Sequence, residues 1–374
     1  MKKSVVGLAI AGCFAGHVYA QGSVTLYGII DAGLNFVNND GGKQLYQFQS
    51  AVSGSRWGIK GKEDLGGGTS AIFQLESGFS PFTGKSGQGG LLFGRQAYVG
   101  LTNETFGSLT FGRQYDPLVD LVGPLTFNQH YGALFSHVND IDNSDDAFRV
   151  SNAVKYVSPK WNGFVVEGMY AFGGVAGQFR QNSTVSGGAS YSGGALSLAA
   201  AYFYARNPAT QFPDGNFQPN TANLHASTTG IFGYVGNPSN MQTVGASAVY
   251  HFQSAEVGGA FTNARYDDAN GVSGNTVWFN SYEVWGQYFF TPTIIAGLGY
   301  NFTNGHVHST GDRPEYHQVN AVADYFLSKR TDVYVLGVFQ QAANGAKADI
   351  YQVFTGQSTT NRQFLLRVGM RHRF

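Results

Sequence analysis

The stretch Val24–Phe36, with the sequence VTLYGIIDAGLNF, shows the pattern that decides the fold class. Positions 24, 26, 30, 32, 34 and 36 are apolar, whereas the other register carries Thr25, Tyr27, Asp31 and Asn35. A period of two puts the two sets on opposite faces of a β-strand. Strands in soluble proteins usually have about five or six residues, and a tilted strand crosses a bilayer with about 9 to 11. The length of this stretch therefore favours a membrane-spanning strand.

One strand does not settle an architecture, but the pattern recurs along the whole chain. The last segment has apolar residues at 364, 366, 368, 370 and 374, and Arg367, Arg371 and Arg373 on the opposite face. Sixteen candidate strands follow the same rule. They lie near 22–37, 45–62, 68–80, 91–103, 106–115, 149–158, 162–173, 184–193, 194–206, 241–252, 255–267, 275–290, 292–304, 314–328, 331–341 and 362–374.

The connections between these strands are alternately short and long, as expected when the turns on one side of a membrane are tight. Every second connection is tight, and the longest of the others span 116–148, 207–240 and 342–361. An even number of strands brings both ends to one side, so the first and last strands can pair and close the sheet. We therefore predict an all-β fold, a 16-stranded antiparallel transmembrane β-barrel with both termini on the periplasmic side.

The composition agrees with this fold and excludes other classes. Of the 374 residues 43% are hydrophobic but only 12% are charged, and the chain has 52 Gly, 30 Phe and 21 Tyr. Soluble domains carry about 25% charged residues, and a membrane helix needs about 20 consecutive apolar residues, which no stretch after position 20 provides. A formal net charge of zero gives no support to nucleic acid as a partner. Aromatics near the strand ends suit the girdles of a barrel.

The N-terminus has the features of a secretory signal peptide. Lys2 and Lys3 precede the apolar segment 4–16, and Val18-Tyr19-Ala20 forms a small-x-Ala cleavage site. We expect a signal peptide at 1–20 and the barrel at 21–374. The alternative is a lipoprotein site, with Cys13 as a lipidated N-terminus.

Several motifs resemble those of a known family. They are Val24–Gly28 (VTLYG), Ser55–Gly66 (SRWGIKGKEDLG), Gly94–Leu101 (GRQAYVGL), Tyr325–Thr331 (YFLSKRT) and the terminal Phe374. In these motifs the chain resembles the general diffusion porins of β-proteobacteria, the neisserial type of Gram-negative porin. It departs from them at His372, where the family usually has an aromatic residue.

The resemblance implies a homotrimer in the outer membrane, among its lipids. Ions and small hydrophilic solutes would diffuse through each water-filled barrel. The outer-membrane assembly machinery would recognise Phe374 as a C-terminal assembly signal. The resemblance also implies that the third extracellular loop, 116–148 in this chain, folds into the barrel as a constriction. No cofactor is expected.

Charged residues on the inner face are the candidate site. The strand register alone places Arg56 and Lys60 together, opposite Trp57 and Ile59. The resemblance adds Arg95 and Arg149, which with Arg56 match the arginines that line the constriction of the family, facing Asp116 and Asp120 on the loop. Charged rings select ions by sign, so a weak anion preference is predicted. The alternative is a structural role, with the arginines paired to Glu76, Asp31 or Glu167.

Other motifs are weaker. The stretch Asp140–Asp146 has some likeness to a calcium loop but lacks its glycine at position six and its glutamate at position twelve, so a solvated acidic stretch is favoured. His306, His308 and Asp312 form a possible metal cluster without a fourth ligand. No metal site and no enzyme motif are therefore predicted. A substrate-specific channel stays open as an alternative, as does an outer-membrane barrel enzyme.

Overall fold

The strand β1 (Ser23–Asp40) is polar on its buried face and apolar on its exposed face, the reverse of a soluble protein. In the computed structural model, which describes residues 22–215, 217 and 230–374, Asp31 and Asn35 are fully buried. Ile30 and Leu34 are 40% and 41% exposed. The apolar face therefore suits lipid, and the polar face is the inner one. The predicted signal peptide lies outside the described residues.

The strands form one closed antiparallel sheet. Their bounds are β1 Ser23–Asp40, β2 Lys43–Gln49, β3 Arg56–Gly66, β4 Thr69–Gly78, β5 Gln96–Asn103, β6 Gly107–Gln114, β7 Val150–Val157, β8 Phe164–Ala171, β9 Thr184–Gly193, β10 Leu196–Arg206, β11 Asn240–His251, β12 Ala255–Asp267, β13 Val277–Thr291, β14 Ile294–Val307, β15 Glu315–Ser328, β16 Thr331–Ala343 and β17 Arg362–Arg373. From β3 onward each strand pairs with the next along the chain, β2 and β3 both pair with β1 instead of with each other, and β17 pairs with β1. Because β2 and β3 pair with successive parts of β1, they together count as one strand of the barrel. The predicted 16-stranded barrel is therefore confirmed.

The break between β2 and β3 is caused by the buried carboxylate of Asp31. The backbone N–H groups of Val52 and Ser53 donate to its Oδ2 at 2.8 and 3.3 Å. The hydroxyl of Ser55 accepts the N–H of Asp31 at 2.9 Å. A buried charge needs several hydrogen bonds, so residues 50–55 leave the ladder to supply them. The single strand predicted at 45–62 is therefore interrupted.

The barrel closes at the C-terminus. Ile29 lies opposite Arg373 in the β1–β17 ladder, and Gly28 and Phe374 exchange two backbone hydrogen bonds of 3.0 and 3.1 Å. The Phe374 ring packs over Gly28, where a Cβ atom would lie 2.3 Å from the ring and 2.7 Å from the carbonyl oxygen of Arg56. Gly28 is thus required by close approach at the seam.

Replacing Gly28 by alanine is expected to destabilise the closed barrel by about 1–3 kcal/mol, the usual cost of overpacking. The temperature at which the folded form is lost, followed by its heat-modifiable migration on gels, should fall. Gly168→Ala is the matched control, because Gly168 also faces outward and its Cβ would meet no atom within 4 Å. Equal melting of the two variants would contradict this account of the seam.

The helices are short and lie in the long connections. They are a π-helical turn Leu118–Val122, α1 Phe127–Tyr131, α2 Pro208–Gln211, α3 Gly230–Val235, and 3-10 turns at Gln88–Gly90, Gly123–Leu125, Ala133–Phe135, Val138–Asp140 and Ala269–Gly271. Within the described residues, none of the helices has the length and apolar character needed to span a membrane. The tight turns and long loops alternate as predicted, apart from the two-residue turn between β1 and β2.

The loop 116–148, between β6 and β7, packs against the inner face of the barrel wall. The Phe127 ring stacks on Trp285 of β13 with centroids 5.4 Å apart. Gly297 and Gly299 of β14 leave room for that ring, since a Cβ there would lie 2.9 and 2.5 Å from it. The Phe127 N–H donates to Glu283 at 2.9 Å. These contacts hold the loop on the side of the barrel formed by β13 and β14.

Candidate functional site on the inner wall

Arg95 is the centre of a charged cluster on the inner wall. It lies just before β5, and its Nε donates to Glu76 Oε1 of β4 at 2.7 Å. Its Nη2 donates to the hydroxyl of Tyr115 at 2.6 Å and to Asp146 Oδ2 at 3.2 Å. Arg95 and Glu76 are 8% and 4% exposed, so this pair is both a structural contact and part of the wall. The alternative role, a structural ion pair with Glu76, therefore applies to Arg95 in part.

Asp146 bridges two arginines. Its Oδ1 accepts a hydrogen bond from Arg149 Nη2 at 2.6 Å, while its Oδ2 contacts Arg95. Both guanidinium groups also lie over the ring of Tyr115, at 5.3 Å for Arg149 and 5.8 Å for Arg95. Cation–π contacts and a shared carboxylate let two like charges remain close together.

Arg56 is the more accessible arginine of the predicted set. Its side chain is 24% exposed, and its Nε is 3.9 Å from Glu76 Oε1. Its guanidinium donates to the carbonyl oxygens of Ser53 and Gly54, in the segment that interrupts β2 and β3. Because backbone carbonyls carry no net charge, much of the positive charge of Arg56 remains available to a passing ion.

Lys60 lies further along β3 and is exposed. Its Nζ is 5.3 Å from the centre of the Tyr27 ring, and the hydroxyl of Tyr27 donates to Glu76 at 2.8 Å. Lys60 lies directly opposite Gln74 of β4, and Arg56 opposite Gly78, so both share the face of Glu76. The face predicted from the alternation of β3 agrees with this register.

The two loop acids named from the sequence lie elsewhere. Asp120 forms an ion pair with Lys155 of β7, and Lys155 Nζ also donates to the Tyr115 carbonyl at 3.0 Å. Asp116 is fully buried, and it accepts from the Leu118 N–H at 2.8 Å and from Asn143 Nδ2 at 3.0 Å. Burial raises the pKa of Asp116 to about 7. Asp146, instead of Asp116 or Asp120, contacts Arg95 and Arg149.

A second set of arginines lies on β17, on the face that the alternation predicted. Arg371 contacts Asp332 at 3.1 Å, and its Nη1 donates to the hydroxyl of Ser53 at 2.8 Å. Arg373 lies 3.5 Å from the same Asp332 and keeps 38% of its side chain exposed. Because Ser53 also accepts from Arg56, the two basic sets meet at the interrupted strand. In the sequence, the alternation along β17 indicates the face of these arginines but not their closeness to Arg56.

A buried ion pair between His137 and Asp142 stabilises the C-terminal part of the loop 116–148. His137 Nδ1 is 2.5 Å from Asp142 Oδ2, and its Nε2 is 4.0 Å from Glu283 of β13. Burial opposes charge on His137, but Asp142, with Glu283 and Asp140 nearby, outweighs it and raises the pKa of His137 to about 9. His137 is thus a cation at neutral pH.

The His137 pair predicts a pH dependence of the loop. Because the pKa in the folded chain is raised above the ordinary 6.5, the stabilisation is complete below pH 6.5 and is lost as the pH rises through about 9. Limited proteolysis within 116–148 should therefore accelerate between pH 8 and pH 10. His137→Gln should remove this step, whereas His317→Gln, a half-buried residue on the outward face of β15, should retain it. A wild-type rate that is flat over this range would contradict the prediction.

The candidate metal residues are engaged otherwise. Asp140 accepts the N–H groups of Asp145 and Ala147 at 2.9 and 2.8 Å. His306 stacks on Trp278 with centroids 5.8 Å apart. Among the residues that the structure describes, no group of three or more His, Cys, Asp or Glu is arranged to hold a metal ion.

Comparisons with known proteins agree with this architecture. The family profile described as Gram-negative porin matches residues 7–343. An outer membrane porin protein of Bordetella pertussis is 38% identical over 193 residues, 46% of this chain and 48% of that protein. The chain thus spans about half the length of this relative, and likewise of outer membrane porin protein 32 of Delftia acidovorans, 34% identical over 185 residues. Major outer membrane protein P.IB of Neisseria gonorrhoeae is 28% identical, covering 92% of this chain and 95% of that one.

Solved structures show the same fold. The anion-selective porin from Comamonas acidovorans superposes with a TM-score of 0.76 at 23% identity, covering 94% of this chain and all of that one. The trimer form of OmpT from Vibrio cholerae superposes with a TM-score of 0.68 at 15% identity, covering 94% of this chain and 99% of that one. With the matched profile, the closed barrel and its polar inner face, the chain belongs to the family of Gram-negative porins.

Proposed function

We propose that the chain is a general diffusion porin of the outer membrane, through which ions and small hydrophilic solutes pass without a carrier step. Its family consists of channels rather than enzymes. In this proposal the termini face the periplasm, and three copies assemble as in the trimer form of OmpT from Vibrio cholerae. A barrel of sixteen strands with polar side chains inside encloses water, because side chains alone fill only smaller barrels.

The loop at 116–148 narrows this pore in our proposal. Support comes from its contacts with inner-face side chains on both sides of the barrel. Ser247 of β11 donates to the Val122 carbonyl at 3.0 Å, and Asn301 of β14 donates to the Phe135 carbonyl at 2.9 Å. On the other side Lys155 of β7 pairs with Asp120. These contacts with β7, β11 and β14 support a loop that crosses the interior.

We further propose that the pore is weakly anion-selective, and the position of Arg56 is the main support. This arginine is partly exposed on the inner wall, and its nearest carboxylate oxygen is 3.9 Å away. Exposed Lys60 and half-buried Arg373 add to the positive field on the same face. The loop opposes them with Asp146 and Asp120, each with about a quarter of the side chain exposed. Fixed charge of one sign raises the local concentration of the opposite ion.

The test is reversal potential in a KCl gradient across planar bilayers, with single-channel recording. The expected result is stepwise conductance in groups of three and a reversal potential of the sign for chloride preference. A cation-selective pore would overturn the proposed selectivity. Sealed liposomes that small sugars do not swell would overturn the diffusion pore itself, and saturable block by one solute would favour a substrate-specific channel.

A further inference from the structure

A basic cavity lies on the outer face of the barrel, at the ends of β10 and β11 that carry long loops. It has a volume of about 440 Å³ and is lined by Arg180, Arg206, Asn207 and three further polar residues beside Asn240. Pockets that bind small ligands generally have volumes of about 300–1,000 Å³. Every lining residue is polar or basic, and none carries a carboxylate.

Both arginines of this cavity are without an acidic partner. Among the described residues, no carboxylate lies within 4.0 Å of either guanidinium, and Arg206 rests over the Tyr204 ring at 5.9 Å. The nearby acids are engaged: Asp267 pairs with Arg265 at 3.0 Å, and Asp268 accepts from Ser239 at 2.7 Å. Two unpaired guanidinium groups in one cavity are suited to a phosphate, which they can bind with paired hydrogen bonds.

The cavity adjoins the lipid-facing surface of the wall. Arg206 shares the outward face of β10 with Tyr202, which is 40% exposed and lies about 13 Å further along the strand at the usual rise per residue. Asn240 likewise shares the outward face of β11 with Val244, which is 41% exposed. An anion held by the arginines would therefore lie directly above a surface suited to acyl chains.

An aromatic cluster marks the membrane interface beside the cavity. Phe179, the residue before Arg180, is 67% exposed and stacks on Tyr170 of β8 at 5.6 Å. Phe172 completes the cluster, with ring centroids 4.9 Å from Tyr170 and 5.7 Å from Phe179. Aromatic side chains concentrate where lipid tails meet headgroups. The arginines thus lie at the depth of lipid headgroups.

We propose that Arg180 and Arg206 bind the phosphate of a phosphorylated lipid whose acyl chains lie on the outward faces of β10 and β11. The assignment to the outer leaflet rests on the proposed orientation, with periplasmic termini and extracellular long loops. The binding itself depends on neither the pore nor its selectivity. Arg180 and Arg206 supply charge and directed hydrogen bonds, while the Asn207 amide, which donates one N–H to Asn182 at 2.9 Å, supplies its second N–H.

The test uses the full-length protein folded in dodecyl maltoside and native mass spectrometry. Dipalmitoyl phosphatidic acid is the probe, dipalmitoylglycerol has the same tails without phosphate, and inorganic phosphate has no tails. The wild type should bind phosphatidic acid at least tenfold more tightly than either of the other two. Arg180→Gln with Arg206→Gln should remove that preference, and Arg180→Gln alone, in a loop, should weaken it several-fold.

Arg265→Gln is the matched control, because Arg265 is an outward arginine on the adjacent strand β12 that is paired to Asp267. Its binding should stay within twofold of the wild type. Undiminished binding of phosphatidic acid by the double variant, with heat-modifiable migration intact, would overturn the site. Equal binding of inorganic phosphate would overturn the lipid assignment in favour of a free anion. Lipid binding by a chain that conducts no ions would instead count against the proposed porin function alone.

Discussion

A chain with Arg56→Ala and Arg95→Ala is expected to lose its preference for chloride and to favour potassium. The double substitution removes two positive charges from the inner wall. It also leaves Glu76 without either arginine, and Asp146 with Arg149 alone. A unit charge about 10 Å away in water changes the energy of an ion by about 0.4 kcal/mol, roughly a twofold change in local concentration. Two charges therefore change the concentration of each ion about fourfold, in opposite directions.

The reversal potential in a KCl gradient measures this change directly. Arg56→Ala alone should move it in the same direction by about half as much. That single variant should still fold, since it loses hydrogen bonds only to the carbonyls of Ser53 and Gly54, and its nearest carboxylate oxygen is 3.9 Å away. Arg265→Ala, an outward residue of β12, is the control and should leave the potential unchanged. If the double variant keeps the wild-type potential, the arginines of this cluster do not set selectivity.

Residues on strands could be placed from the sequence, because a period of two fixes which face each side chain occupies. Arg56 and Lys60 of β3 follow that rule, as do the three arginines of β17. The polar face of β1 was equally readable, with Asp31 and Asn35 buried as the alternation requires. In these strands the polar and apolar alternation of the sequence agrees with the fold, so it is sufficient to predict which side chains face inward.

The loop partners could not be placed in this way, because a loop has no period that fixes a face. Asp146 contacts arginines at 95 and 149, yet the sequence shows it only as the end of an acidic stretch. The break at 50–55 depends on Asp31, whose carboxylate binds the N–H of Val52, 21 residues later in the chain. Both contacts become visible only when distant segments are brought together. The site therefore combines wall residues that alternation predicts with loop residues that it does not.

Removing the Phe127 side chain is expected to detach the loop from the wall of β13 and β14. Phe127 is fully buried, stacks on Trp285 at 5.4 Å and lies 5.0 Å from Phe135. Truncating a buried phenylalanine to alanine costs about 3–5 kcal/mol. Here the loss falls mostly on the loop, because the strands keep their own hydrogen-bonded ladders. Phe127→Ala should therefore make 116–148 open to protease and raise single-channel conductance, if this segment narrows the pore.

Phe339→Ala is the matched control, since Phe339 lies on the outward face of β16 and is 41% exposed. It should keep the wild-type conductance and the protease resistance of 116–148. Protease cleavage reports whether the Phe127 ring holds the loop, and conductance reports whether the loop narrows the pore. Rapid cleavage of the loop in Phe127→Ala at unchanged conductance would show that the loop is held by this ring but does not limit ion flow. Unchanged cleavage would show that the ion pairs at His137 and Lys155 hold it without the aromatic stack.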